Sequence, residues 1–390
     1  MIARSISPKL KYLAGKFPVL FLTGPRQSGK TTLIREQFKQ LPYVSLENPD
    51  MHLSALNDPR SFLKQFSKGA ILDEAQRAPE LFSYIQGIVD DNKKIKFVLS
   101  GSQNFLLSKH ISQSLAGRAA VSHLLPFSIS EMKAAKIPVK SWNETAIKGF
   151  YPRVFDKKIA VSDFYSSYIR TYVERDVRQT LNIADIKTFN NFLKLCAGRA
   201  GQIINHTSLA NDAGVSPNTV KAWLSVLEAS FIIFFLHPYH NNFNKRIIRS
   251  SKMYFCDTGL LCHLLELSSA KDVLHFYMKG AIYENLIIAE MLKARWNAGL
   301  EAKLYYWRDQ TGNEIDCLFQ KSYKDIQAFE IKSGETFNNA MLSSLLQWQN
   351  ISKQRKQNLH LVYAGKINHA MNEIQLHGWN NLDDLTKSIV

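Results

Sequence analysis

An apolar run of strand length, Phe17-Pro18-Val19-Leu20-Phe21-Leu22-Thr23, leads into Gly24-Pro25-Arg26-Gln27-Ser28-Gly29-Lys30-Thr31 and then into the helical stretch Thr32-Leu33-Ile34-Arg35-Glu36-Gln37-Phe38. Strand, glycine loop and helix in that order restrict the fold more than any other feature and point to an α/β architecture around a parallel sheet. The Gly-x4-Gly-Lys-Thr spacing is also a phosphate cradle. Its glycines let backbone N–H groups turn toward phosphate oxygens, Lys30 reaches the β and γ oxygens, and Thr31 offers a hydroxyl to Mg²⁺. Residues Gly24 to Thr31, with Thr32 beside them, are therefore the expected contacts of ATP. A glycine-rich surface turn would not need Lys and Thr after its second glycine.

A second requirement of triphosphate hydrolysis appears at Gly69-Ala70-Ile71-Leu72-Asp73-Glu74-Ala75-Gln76-Arg77, where a short apolar strand ends in two carboxylates. Asp73 is expected to hold Mg²⁺ together with Thr31, and Glu74 to polarise the attacking water. The strand Ile95-Lys96-Phe97-Val98-Leu99-Ser100-Gly101 delivers Ser102 and Gln103 to the edge where open α/β sheets bind ligands, so these two are candidate sensors of the γ-phosphate. Arg118, in Leu115-Ala116-Gly117-Arg118, is a candidate arginine finger for the transferring phosphoryl group. With Val44-Ser45-Leu46 and Val121-Ser122-His123-Leu124-Leu125 as further strands, the region contains about five parallel strands alternating with helices.

Charge divides the chain unevenly. The net charge of +16 splits into +10 over residues 1–150, +6 over 151–250 and zero over 251–390. A polyanionic partner is thus expected on the first two thirds. The N-terminus lacks the apolar core of a targeting peptide and no later stretch approaches a membrane span, which leads to the expectation of a cytoplasmic protein without a membrane partner. Cys196, Cys256, Cys262 and Cys317 are too scattered for a zinc site or a disulfide framework.

Beyond Pro126 the pattern turns helical. The stretch Val161 to Asp176 carries a Phe and Tyr stripe at helical spacing that suits a core-facing helix, with Arg175 and Asp176 as a possible pair at its end. Thr207 to Leu224 reads as a helix, a glycine turn at Gly214 and a second helix capped by Ser216 with Pro217 in its first turn. That is a helix-turn-helix whose second helix presents Asn218, Thr219 and Lys221. Phe231–Leu236 and Lys252–Cys256 follow as a hairpin, making a winged helix with Lys245, Arg246 and Arg249 at its tip, and residues 207–252 become the expected contact for nucleic acid, DNA before RNA. Docking of a protein is the alternative use of the same module.

The C-terminal third has acids where chemistry is expected. Asp316 lies in the strand Glu314-Ile315-Asp316-Cys317-Leu318-Phe319, and Glu330 and Lys332 share one face of the strand around Ala328-Phe329-Glu330-Ile331-Lys332-Ser333-Gly334. Glu284, on an upstream helix, completes a Glu, Asp, Glu-x-Lys set in which the carboxylates would bind Mg²⁺ and Lys332 would orient or activate water. A buried ion network that only supports the sheet is the alternative.

Taken together, Gly24 to Thr31, Asp73-Glu74-Ala75-Gln76-Arg77, Lys252-Met253-Tyr254-Phe255-Cys256-Asp257-Thr258-Gly259-Leu260 and Glu330-Ile331-Lys332-Ser333-Gly334 resemble the prokaryotic AAA-type ATP-binding proteins that carry a C-terminal domain of unknown function. The likeness spans nearly the whole chain, although Lys148-Gly149 stands where the family usually has two glycines. It implies a P-loop ATPase domain over 1–135, a helical lid with a winged helix over 136–265, and a restriction-endonuclease-like α/β domain of PD-(D/E)XK type over 266–390. No proline precedes Asp316, a departure from that last pattern. Three functions are compatible: an ATPase directed to nucleic acid, with or without cutting it, an ATP-dependent switch for protein partners or a homo-oligomer with a silent C-terminal domain, and a nuclease regulated by nucleotide.

Overall fold

The computed structural model describes residues 2–102, 114–173, 185–239, 251–366 and 368–390; Gln103, Arg175, Asp176, Lys245, Arg246 and Arg249 lie outside the described residues. The chain forms two units, the first made of Met1–Phe127 with Ala229–Phe231 and Trp296–Gly299, the second of Ser128–Glu228, Ile232–Arg295 and Leu300–Val390.

Five strands build the first unit: β1 (Val19–Thr23), β2 (Tyr43–Ser45), β3 (Ile71–Asp73), β4 (Phe97–Gly101) and β5 (Ala119–His123), in the order β2-β3-β4-β1-β5. All pairings are parallel. β1 is buried at every position because both its faces are covered, and period-2 alternation divides its side chains between two cores. Val19 and Phe21 join Leu72, Phe97 and Leu99 beneath the helix Leu81–Asp91, whose Leu81, Phe82, Ile85 and Val89 recur at helical spacing. Leu20 and Leu22 join Leu10, Leu33 and Ile34 from the helices Ser7–Lys16 and Lys30–Gln37. Strand order also fixes where chemistry can occur. β3, β4 and β1 are neighbours, so their carboxyl ends bring Glu74, Ser102 and Gly24 to one edge.

The second unit opens with helices. The aromatic stripe of the helix Val161–Tyr168 is core, with Phe164, Tyr165 and Tyr168 buried. Helices His206–Ala213 and Pro217–Ala229 are joined through Gly214, whose φ of 69° is left-handed backbone that suits glycine. Ser216 caps the second helix by accepting from the Thr219 amide at 3.1 Å. Strands β6 (Ile233–Pro238) and β7 (Lys252–Phe255) then pair antiparallel, and residues 201–204 run along the other edge of β7.

This hairpin does not end there. β6 also pairs in parallel with β8 (Leu304–Arg308), so the hairpin is continuous with β9 (Glu314–Gln320), β10 (Ile326–Lys332), β11 (Leu359–Tyr363), β12 (Ala370–Met371) and β13 (Ile374–Gly378) in one eight-stranded sheet, ordered β12-β13-β11-β10-β9-β8-β6-β7. Covering β8 removes an open edge. The helix Lys279–Asn297 is buried on nearly every side, with Ile282, Tyr283, Leu286, Ile287 and Ile288 all inaccessible and Asn285, Glu290, Lys293 and Arg295 buried among them. Among the described residues no helix is long and apolar enough to cross a membrane.

Candidate active site

The phosphate cradle sits between β1 and the helix Lys30–Gln37, and its backbone has the form that its residues allow. A Cβ on Gly24 would lie 2.1 Å from the Leu124 carbonyl oxygen, so no other residue fits without moving backbone. Gln27 adopts a φ of 63°, a left-handed conformation that costs a side-chain-bearing residue on the order of 1 kcal/mol and is tolerated where function fixes the loop. Gly29 precedes the helix with no side-chain cap, leaving the first-turn amides to a ligand. Lys30 is 5% exposed, and its ammonium donates to the Gly24 and Pro25 carbonyls at 2.9 Å each. Ser28 Oγ and Gln27 Oε1 are buried without hydrogen-bond partners.

Asp73 faces this cradle from the end of β3. Thr31 Oγ1 donates to its Oδ2 at 2.7 Å and the Tyr43 hydroxyl donates to the same oxygen at 2.9 Å, while Ser100 Oγ donates to Oδ1. Burial, then the Asp73 charge, pushes the Tyr43 hydroxyl up to about 12, so it remains a donor across the working pH range. Glu74 has a φ of 55°; its carboxylate accepts from Gln76 Nε2 and from Ser102 Oγ at 3.3 Å. Thr31, Asp73, Glu74 and Ser102 are thus brought together as the sequence predicts. The set fits Mg²⁺ and a nucleotide: an anionic carboxylate beside a hydroxyl, an unpartnered buried Ser28 hydroxyl and uncapped helix amides. Arg26 forms a 3.7 Å ion pair with Glu47 at the rim, and Thr32 is exposed.

Arg118 is not brought to this edge. It immediately precedes β5, its carbonyl accepting the Val19 amide at 3.2 Å, so it stands at the amino ends of β5 and β1 while the cradle lies at the carboxyl end of β1. A parallel strand of this length separates the two by about 16 Å. There its guanidinium grips Asp90 at 2.6 and 2.8 Å.

Three residues of this site escape a sequence reading. Arg4 donates to the Ser28 carbonyl at 2.8 Å and to the Leu125 carbonyl at 2.6 Å, with Phe127 under its guanidinium at 5.0 Å. It pins the cradle to the exit of β5. Nothing local in the N-terminal sequence signals this role. Tyr43 and Ser100 are strand residues whose importance comes only from the adjacency of β2, β3 and β4.

The C-terminal acids gather as well, but with company. Lys252 of β7 pairs with Glu284 Oε1 at 3.2 Å and directly with Glu314. The Tyr254 hydroxyl donates to Glu284 Oε1 at 2.6 Å, and the Ile331 amide donates to Asp316 Oδ2 at 2.8 Å. Lys332 pairs with Glu330, to which Ser344 Oγ also donates at 3.3 Å. Burial, reinforced by the Asp316 charge, pushes Glu284 up to about 7 and Glu330 up to about 8, and burial raises Asp316 too. For Lys252, burial works against the charge, but Glu284, Asp316 and Glu314 outweigh it and hold the ammonium above its ordinary value. Glu330 Oε2 is buried without a hydrogen-bond partner, which favours the protonated carboxyl.

Glu284, Asp316, Glu330 and Lys332 therefore meet as expected, yet no group of three or more His, Cys, Asp or Glu among the described residues is arranged to hold a metal ion. The acids are tied to lysines, a tyrosine and a backbone amide, and in that arrangement they do not fit Mg²⁺. Lys252 heads the apolar run Met253-Tyr254-Phe255-Cys256, where a lysine ordinarily reaches solvent, so the sequence carries no clear signal that an acid faces it.

Three family models match successive parts of the chain. Residues 16–133 match the model of an AAA domain, residues 139–271 a domain of unknown function (DUF8612) and residues 279–381 a domain of unknown function (DUF4143). An uncharacterized protein of Mycobacterium tuberculosis is 30% identical over 355 residues, covering 89% of this chain and 78% of the relative. An uncharacterized protein of Methanocaldococcus jannaschii is 23% identical over 349 residues, covering 82% of this chain and 75% of the relative. Among solved structures, a Walker-type ATPase of Pyrococcus abyssi aligns with a TM-score of 0.46 and 16% identity, over 68% of this chain and 96% of that one.

Proposed function

This chain belongs to the family of its mycobacterial relative, with an AAA domain followed by domains of unknown function, and from that membership we propose that it binds and hydrolyses ATP with Mg²⁺ at the cradle and couples turnover to nucleic acid held by residues 207–252. The observation that carries the ATPase reading is the 2.7 Å hydrogen bond from Thr31 to Asp73, which sets a hydroxyl and a carboxylate side by side at the mouth of the loop. Mg²⁺, when bound, neutralises charge between the β and γ oxygens. The chain's own residues do the rest. Lys30 exchanges its two loop carbonyls for phosphate oxygens, the first-turn amides and Ser28 Oγ donate to them, and Asp73 keeps its geometry through Tyr43 and Ser100. Glu74 orients the attacking water and accepts its proton, with Gln76 and Ser102 fixing the carboxylate. Glu74→Gln is expected to lower steady-state hydrolysis at least about a hundredfold while nucleotide affinity is retained; unchanged turnover would refute the assignment.

Nucleic-acid binding is supported by the capped helix pair followed by a hairpin, by the exposed Asn218 and Lys221 on its second helix, and by the +6 charge of residues 151–250. The affinity for duplex DNA should fall steeply with salt, because each phosphate contact releases counterions. Fluorescence anisotropy across a salt series measures the slope, and binding absent at low salt would favour a protein partner. A cytoplasmic setting belongs to the same proposal and accords with four buried free cysteines.

A second reading is favoured by one specific observation. The Glu284, Asp316 and Glu330 carboxylates are engaged by Lys252, Tyr254, Lys332 and the Ile331 amide, which supports a catalytically silent C-terminal domain in an ATP-dependent switch over one that cuts DNA. Incubation of the wild type with DNA and Mg²⁺ tests it, and cleavage lost in Lys332→Met would overturn it.

A further inference from the structure

β7 delivers one buried cation to the acids of the second unit. The Lys252 side chain is 4% exposed and reaches Glu284 of the helix Lys279–Asn297 at 3.2 Å, with Glu314 of β9 as its second ion-pair partner. Glu314 and Asp316 are two residues apart on β9, so both face it, and the Asp316 charge acts on Lys252 as well. The Tyr254 hydroxyl comes from the same face of β7 and fixes the Glu284 oxygen that the lysine uses. The Tyr306 ring lies 5.8 Å from the ammonium.

We propose that the Lys252 ammonium is the resident cation of the Glu284, Glu314 and Asp316 cluster, taking up the carboxylate oxygens that a divalent metal would need and tying the β6–β7 hairpin to the sheet. The inference rests on the silent reading of the C-terminal domain and deepens it by naming the residue responsible. An ammonium donates three hydrogen bonds at about 3 Å and carries one charge, whereas Mg²⁺ demands six oxygens at about 2.1 Å in octahedral array. Both cannot occupy the same acids. The lysine is covalently tethered beside its partners, so a metal at cellular concentration competes against an intramolecular ligand. Lys332 is different. Its side chain is 40% exposed and reaches in from the surface to one oxygen of the buried Glu330, so it is the ion-pair partner of that carboxyl and not of the Glu284, Glu314 and Asp316 cluster.

The test is a Mn²⁺ titration of the full chain without nucleotide, followed by the loss of the free-ion electron paramagnetic resonance signal. Wild type and Glu284→Gln should bind alike, with no site that depends on Glu284. Lys252→Met should gain one saturable Mn²⁺ site at least tenfold tighter than any in the wild type, removed again by adding Glu284→Gln, while Lys332→Met gains none. Wild-type binding that Glu284→Gln abolishes would overturn the proposal, as would a folded Lys252→Met protein that binds no additional Mn²⁺. If Lys252→Met does not fold, the comparison of wild type with Glu284→Gln decides alone. Glu284-dependent Mn²⁺ binding by the wild type without DNA cleavage would refute the lysine assignment only, whereas Mg²⁺-dependent cleavage lost in Lys332→Met would refute the silent reading itself.

Discussion

Asp73 and Asp316 are each held in place by neighbours, but by neighbours of opposite kind. Asp73 accepts from Thr31, Tyr43 and Ser100, three neutral hydroxyls that fix its geometry and leave its charge available. Asp316 accepts the Ile331 amide and feels the ammonium groups of Lys252 and Lys332, which neutralise the acids around it. A carboxylate oriented by hydroxyls is prepared for a cation that arrives with substrate, and one oriented by lysines already has its cation. On the proposed reading, the same residue type serves as a metal ligand in the first unit and as a lysine's counter-ion in the second.

The contrast can be broken most directly at Lys30 and Asp73. Lys30→Ala or Asp73→Asn should reduce ATP hydrolysis by about a hundredfold to a thousandfold, the scale of losing one preorganised electrostatic contact to a transferring group. Steady-state phosphate release measures this, and turnover within a few fold of wild type would contradict the role of the cradle.

Lys252→Met should act on folding instead. Removing one partner from a buried ion network leaves acids without their counter-charge and destabilises by about 3–5 kcal/mol, whereas Asp73→Asn should change stability by about 1 kcal/mol. Urea unfolding of both variants compares them, and equal losses would erase the distinction.

The pH dependence of the second unit sharpens it further. Glu284 and Glu330 have folded values of about 7 and about 8, above their unfolded ones, so the folded state binds more protons than the unfolded state in that interval. Their contribution is present below the unfolded values and is lost as pH rises through the folded ones. His206, His237, His263, His360 and His377 are lowered by burial and act with the opposite sign, but their interval ends at the ordinary histidine value. Between pH 6.5 and 8.5 the urea midpoint should therefore fall, by on the order of 2 kcal/mol in stability, and Glu284→Gln with Glu330→Gln should flatten the slope.

The smallest expected effect belongs to Arg4. Arg4→Ala removes the charged donor on the Ser28 carbonyl and should weaken nucleotide binding about tenfold, near the lower end for a charged hydrogen bond. Isothermal titration with ADP and Mg²⁺ reads it. Unaltered affinity would mean that the cradle holds its form without the N-terminal segment.

Much of this was open to a reading of the residues because it is local. The cradle, the acid-tipped β3, the five parallel strands and the capped helix pair depend on neighbours in sequence, where spacing carries the information. Arg118 directly precedes a strand of a parallel sheet and so stands at the amino edge, opposite its own chain's cradle, a position that leaves a finger role only toward the cradle of a second copy. Lys252, Tyr254 and Arg4 belong to a different category. Their partners are 24 to 121 residues away, and only strand order and helix packing bring them into contact. The hairpin was legible, but its pairing with β8 was not, since backbone edges leave no mark on side-chain pattern.

Counting the Mn²⁺ ions bound per chain in the presence of a non-hydrolysable ATP analogue tests the central contrast in one measurement. The prediction is one ion, lost in Asp73→Asn and unaffected by Glu284→Gln. Two ions, or a single ion that survives Asp73→Asn and disappears with Glu284→Gln, would contradict it.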